Sequence, residues 1–231
     1  MKKYLPTIPL YITIDINGTD KEIDLFQYLL RISFWRPRDI IKYFAVLYDA
    51  NTKNKNRHDV IDMETLKGLL NSVTEEIIQD EFFSEYNKVF YNIKQLLERF
   101  EKRNVVMALD EFLNIVNNFE FEGVVFNNKY KLLEKLELLY EIGIFGLQFT
   151  SDYIREKGIC HKLCFIFNEG MNPFVSCKKD ISRRNKSIQI VLNPIFGKRL
   201  SLKYNTTQII GNYGWKYLLS NHSRKMTINR L

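Results

Sequence analysis

The chain has 231 residues, 45% of them hydrophobic and 14% aromatic, with only five prolines and ten glycines; this excludes a disordered chain and argues against a loop-rich all-β protein. Its net charge of +7 is unevenly spread: residues 151–231 carry 15 Lys and Arg against 4 Asp and Glu, while the first 150 carry 19 against 23, so the last third is the part able to meet polyanions. An odd number of cysteines, three, the absence of an apolar leader after Met1-Lys2-Lys3 and of any run of about 18 apolar residues point to a reducing, cytoplasmic setting with no membrane span.

Residues 9–16 alternate and are β-branched, and Asn17-Gly18 follows, which predicts a strand or extended arm ending in a turn. Leu25, Phe26, Leu29, Leu30 and Ile32 repeat at helical spacing from Asp24 to Phe34. That helix stops before Pro37, because the residue before proline avoids the α region. Pro37 then opens a helix from about Arg38 to Tyr48, and 51–59 reads as a polar loop. From Asp62 to about Glu101 helices follow closely, with Asp62 and Thr65 as caps of the first and Ser72 or Thr74 of the second. Asn104 is expected to cap a helix through Val106, Leu109, Phe112, Leu113 and Val116, and Tyr130–Ile142 forms another. At Gly143 the period changes: 144–149 and 163–167 read as strands, 188–192 as a later strand, and 208–219 as a final short helix. Helix, turn, helix and strand pair is the order of a winged helix.

The most informative local motif is Arg36-Pro37-Arg38-Asp39-Ile40-Ile41. A helix N-terminus presents free N–H groups and positive potential to an anion, and Arg38 adds a planar, permanently charged fork suited to phosphate. A capped surface helix with an Arg–Asp pair would look the same in sequence.

The segment from Leu29 to Tyr43 resembles the junction just after the ATPase core in a poorly characterised family of bacterial P-loop ATPases, broadly of the AAA+ and STAND-like kind. There an Arg-Pro-Arg-Asp block opens the lid helices, in a place similar to the second-sensor motif whose arginine senses the nucleotide γ-phosphate. The resemblance implies Arg38 as the nucleotide sensor, with Arg36 second. The stretch from Leu138 to Gly146 looks like that family's last winged-helix helix running into its wing. Val191–Phe196 followed by Ile209–Trp215 looks like its C-terminal signature.

The hydrolytic parts are not legible. A Walker A loop needs Gly-x-x-x-x-Gly-Lys-[Ser/Thr] to wrap phosphates in backbone N–H groups. At the one Gly-Lys pair, Gly197-Lys198, Leu192 stands where the first glycine belongs and Arg199 where the Ser or Thr belongs. Val105–Glu111 mimics a Walker B strand, but its continuation has helical spacing. Cys160, His161, Cys164 and Cys177 are poorly spaced for zinc, so no metal is expected. His58, His161 and His222 sit in polar or basic surroundings without a nucleophile motif. Glu75-Glu76 and Asp80-Glu81 read as solvated helix faces.

The expected fold is α+β, mainly α: a helical bundle followed by a winged-helix domain with a small antiparallel sheet. Its divisions are an extended arm or core remnant over 1–20, a helical lid-like region over 21–102, and a winged-helix domain with a basic extension over 103–231. The expected function is a non-catalytic region that couples the nucleotide state of a P-loop ATPase core, in cis or in trans, to the winged helix. The chain would bind no cofactor by itself, ATP entering only with a complete ATPase. The competing expectation is a free-standing winged-helix DNA-binding protein. It would use Lys178, Lys179, Arg183, Arg184, Lys186, Lys198 and Arg199 to neutralise phosphates. Against base reading, the helix 130–142 carries Glu134, Glu137 and Glu141 beside Lys129, Lys131 and Lys135.

Overall fold

The computed structural model describes residues 9–16, 19–53, 61–159, 163–165 and 173–204. The fold is α+β and mainly α, and the chain divides into two compact units.

The first unit opens on a hairpin of β1 (Tyr11–Ile16) and β2 (Thr19–Asp24), in which Ile12 faces Ile23 across the ladder. These two carry the hairpin's buried side; the other β2 residues from Thr19 to Glu22 are exposed, so the charged run Asp20-Lys21-Glu22 hid the second strand from a hydrophobicity pattern. Asp24 then accepts the Gln27 N–H at 2.9 Å and caps α1 (Leu25–Arg31), as Asp residues do for the orphan donors of a first turn. The helix ends in a turn over 32–36, and α2 (Pro37–Lys53) follows. Asp62 accepts the Thr65 N–H at 2.9 Å and caps α3 (Met63–Glu76).

No helix restarts at Ser72 or Thr74, contrary to the sequence expectation. Instead α3 runs directly into a π-helical segment, Ile77–Phe83, and then α4 (Ser84–Tyr86), with α5 (Ile93–Glu98) following. The Thr74 hydroxyl lies 2.7 Å from the Leu70 carbonyl and 2.7 Å from the Tyr43 hydroxyl, which is itself 2.6 Å from the Ile32 carbonyl. Two hydroxyl protons serve three contacts, and they tie α2, α3 and the turn after α1 together in the interior.

Two distant segments join this unit. Phe121 stacks on Phe90 with ring centroids 4.5 Å apart, and Asn92 donates to the Glu120 carbonyl and accepts the Glu122 N–H. Residues 193–203, which the sequence divisions placed with the second domain, return to the first. Ile195, Phe196 and Leu200 are buried, the Leu200 carbonyl accepts the Lys102 N–H, and the Arg103 carbonyl accepts the Lys203 N–H, both at 2.8 Å.

The second unit is built on a four-stranded antiparallel sheet. β3 (Val106–Ala108) leads into α6 (Leu109–Asn117) and α7 (Lys131–Glu141). Then come β4 (Phe145–Phe149), α8 (Ser151–Lys157), β5 (Leu163–Cys164), α9 (Pro173–Ser182) and β6 (Ile188–Leu192). The spatial order is β3-β6-β4-β5, with Val106 opposite Val191 and Phe145 opposite Leu192. Every residue of β4 is buried, and Phe145 meets Phe112, Tyr140 and Phe174. The expected helix from Asn104 begins later, at Leu109; Val106 and Met107 belong to a strand because both are buried and Met107 pairs with Ile190. Among the described residues no helix is long and apolar enough to cross a membrane. The expected helix 208–219 lies outside the described residues.

Candidate nucleotide-sensing site

Arg38 sits in the first turn of α2, one residue after Pro37. What fixes that turn is Asp39, fully buried, whose Oδ2 accepts the Phe34 N–H at 2.9 Å. The carboxylate thus reaches back over the helix start and satisfies a backbone donor in the preceding turn. Ser33, also buried, accepts the Trp35 N–H and contacts the Leu30 carbonyl; these bonds hold Trp35 at a positive φ of 59°, a backbone region that side chains with a Cβ rarely occupy. Phe34 stacks nearly parallel on Phe82 at 5.0 Å and meets Phe196 edge-on at 5.8 Å. Burial raises the carboxyl pKa of Asp39 above its ordinary value, against the lowering effect of the Phe34 N–H.

Around this anchor the charges form a chain. Arg38 Nε lies 2.8 Å from Glu81 Oε2 and 4.0 Å from Asp39 Oδ1. Glu81 Oε1 lies 2.6 Å from Lys42 Nζ, which also contacts Glu76 at 3.0 Å. Those two acids raise the Lys42 pKa. Arg38 remains 56% exposed, whereas Glu81 is only 14% exposed. Arg36 points elsewhere: it pairs with Glu85 at 3.3 Å and lies over the Phe34 ring. The arrangement places one exposed guanidinium at a helix start and holds it with Glu81 from the π-helical segment and Asp39 from α2. Sequence reasoning missed Glu81, reading Asp80-Glu81 as a solvated face. The signal against that was the pair Phe82-Phe83 directly after it, which buries the turn.

The seven basic residues are divided between the two units. Lys178, Lys179, Arg183, Arg184 and Lys186 belong to the second unit, Lys198 and Arg199 to the first. Lys178 pairs with Glu137 at 2.6 Å and Arg184 with Asp110 at 3.2 Å; Lys179, Arg183 and Lys186 are exposed. Arg199 pairs with Glu75 and lies over the Phe83 ring. It lines a polar groove of about 710 Å³ with Lys198, Glu75, Glu76 and Asp80, where three carboxylates face two cations, an unsuitable balance for a polyanion.

The helix over 130–142 is also committed internally. Within α7 only Lys131 and Glu141 are exposed, and Lys135, 3% exposed, donates to the carbonyls of Val116, Asn117 and Phe119. A cation at the C-terminal end of α6 satisfies the carbonyls that the helix leaves unpaired.

Cys164 and Cys177 are buried, and burial raises the Cys177 pKa. Among the described residues no group of three or more His, Cys, Asp or Glu could hold a metal. Cys160 and all three histidines lie outside those residues, as does the 209–215 segment of the expected C-terminal signature. The Walker B mimic ends in Asp110 and Glu111 within the first turn of α6, where Asp110 pairs with Arg184. No protein-family model matches the chain, and no curated protein and no solved structure matches it either.

Proposed function

We propose that this chain is the non-catalytic, nucleotide-responsive region of a P-loop ATPase, and that Arg38 contacts the terminal phosphate held by a core supplied in cis or in trans. The observation that carries this reading is the geometry at the start of α2. An arginine more than half exposed stands in a first helical turn whose backbone is pinned by a buried aspartate. The helix dipole and the Arg38 guanidinium both favour an anion near this turn, although the Asp39 and Ile40 N–H groups already donate to the Arg36 carbonyl. In an ATPase such an arginine stabilises charge on the transferring phosphoryl group.

In the second unit the strand order β3-β6-β4, with α6 and α7 between β3 and β4, supports a winged-helix module. In it α8, β5 and α9 are an insertion before the last strand. Because α9 packs on α7 and Lys178 pairs with Glu137, α7 serves protein packing rather than base reading in this scheme. The basic C-terminal part then contributes at most a sequence-indifferent contact with nucleic acid, through the exposed Lys179, Arg183 and Lys186.

The test is ATP hydrolysis by the chain combined with the P-loop core encoded next to it. Arg38→Ala is expected to abolish the response to nucleotide while Arg38→Lys retains part of it. Absence of any such core beside the coding sequence, or hydrolysis indifferent to Arg38, would overturn the proposal.

A further inference from the structure

We propose that Glu81 is an internal competitor that holds Arg38 until a phosphate displaces it, with Lys42 as the counter-charge that remains when Arg38 leaves. This rests on the reading of Arg38 as a phosphate-contacting group and assigns the regulation of that same site.

The pairing of Arg38 is close but poorly directed. Its Nε lies 2.8 Å from Glu81 Oε2 and 4.0 Å from Asp39 Oδ1, yet neither of these two solvent-shielded oxygens accepts a hydrogen bond. An arginine held by charge without the parallel, two-bond alignment lacks the strength of a bidentate pair. A phosphate offers more charge and three acceptor oxygens in the geometry the fork prefers. Because Arg38 is 56% exposed, it can turn towards such a group without repacking the interior.

Its departure strands no charge. Glu81 keeps Lys42 at 2.6 Å, and Asp39 keeps the Phe34 N–H at 2.9 Å. Breaking a shielded ion pair is costly chiefly when one partner is left alone; here each carboxylate retains a second partner. The competitor is also rigidly placed. Glu81 lies on the π-helical segment, whose Ile77, Ile78, Phe82 and Phe83 are buried, and Phe82 stacks on Phe34, the residue whose N–H Asp39 holds. Both ends of the Arg38 contact are therefore anchored to one ring stack. Single π-helical turns inside α-helices are frequent at functional sites.

The two acid–base partners predict opposite effects. Glu81→Gln removes the competitor and tightens phosphate binding. Lys42→Met leaves Glu81 with Arg38 alone, so releasing Arg38 then strands a shielded carboxylate, and phosphate binding weakens. A merely structural role for the network would move both variants the same way.

The experiment uses the full chain and sodium tripolyphosphate. Binding is read from the side-chain Nε–H resonance of Arg38, assigned by its loss in Arg38→Ala, and from calorimetric titration, with circular dichroism confirming the fold of each variant. The expected result is binding that Arg38→Ala removes, that Glu81→Gln strengthens about threefold to fivefold, the scale of one partly exposed ion pair, and that Lys42→Met weakens. Binding that depends on Arg38 but is unchanged in Glu81→Gln and Lys42→Met overturns the competitor and leaves the phosphate-contact reading standing. Titrations in which Arg38→Ala matches the wild type, or in which no variant binds, overturn the competitor, while the phosphate-contact reading falls on hydrolysis with the core that is indifferent to Arg38.

Discussion

The ammonium of Lys135 in α7 lies 2.6 Å from the backbone carbonyl of Phe119 and 3.2 Å from that of Val116, so a residue that reads in sequence as one of the charges of a mixed Lys–Glu helix closes the end of α6. A hydrogen bond to a charged group contributes about 1.5–3 kcal/mol, and a buried acceptor left without its donor carries a penalty of similar size. Lys135→Met is therefore expected to lower unfolding free energy by about 3 kcal/mol in urea titrations. An unchanged midpoint would show that water or another donor serves these carbonyls equally well.

Asp39 makes an opposite kind of demand. Asp39→Ala removes the acceptor for the buried Phe34 N–H and should destabilise the first unit by about 1–3 kcal/mol; Asp39→Asn, which keeps an oxygen, should do less harm. Burial raises the Asp39 pKa, so the folded state binds this proton more tightly than the unfolded state does. Stability from this group is gained as pH falls through the raised folded pKa and lost as pH rises through it. Stability–pH curves of wild type and Asp39→Asn should differ by that acid-side gain, and parallel curves would contradict it.

Asp180 should have the reverse sign. The Tyr153 hydroxyl donates to its Oδ2 at 2.8 Å, and this bond, with Lys157 nearby, lowers the Asp180 pKa. Its contribution is present above the unfolded carboxyl pKa and is lost as pH falls through the depressed folded value. Removing the hydroxyl with Tyr153→Phe should raise the Asp180 pKa, measurable from the pH dependence of its carboxyl carbon resonance. A pKa that does not move would remove the hydrogen bond as the cause.

Contact with duplex DNA is expected to be weak and indifferent to sequence. Lys179→Ala, Arg183→Ala and Lys186→Ala together should remove it and its salt dependence, because each released phosphate contact lowers the slope by about one. Lys178→Ala and Arg184→Ala should change it less, since those cations already pair with Glu137 and Asp110. Titrations on unrelated duplexes at two salt concentrations decide this, and a strong preference for one sequence would revive base reading by the second unit.

The sequence carried the amphipathic elements well and the irregular ones badly. Pro37 and Asp62 marked helix starts that form, but α2 runs on to Lys53, past Tyr48 and into the expected loop, and α3 runs on into the π-helical segment; 130–142 forms a helix close to its limits and 188–192 the expected strand. Two features escaped because their logic is tertiary. Thr19–Asp24 is a strand only because β1 pairs with it, its own residues being mostly polar. Ile195, Phe196 and Leu200 leave the second unit because the first offers Phe34 and Phe82 as partners. At the candidate site, Arg38 and the helix start were readable from Arg-Pro-Arg-Asp. Glu81 was not, since 43 residues separate it from Arg38 and no local period links an acid in a π-helical turn to a distant guanidinium.

The most direct measurement is steady-state ATP hydrolysis by the chain assembled with the proposed P-loop core, comparing wild type with Arg38→Ala in matched, folded preparations. If Arg38 stabilises the charge developing on the terminal phosphate, turnover falls by about a hundredfold or more, while the chain alone hydrolyses nothing in either form. Equal turnover in the two assemblies, or hydrolysis by the purified chain without a core, would contradict it.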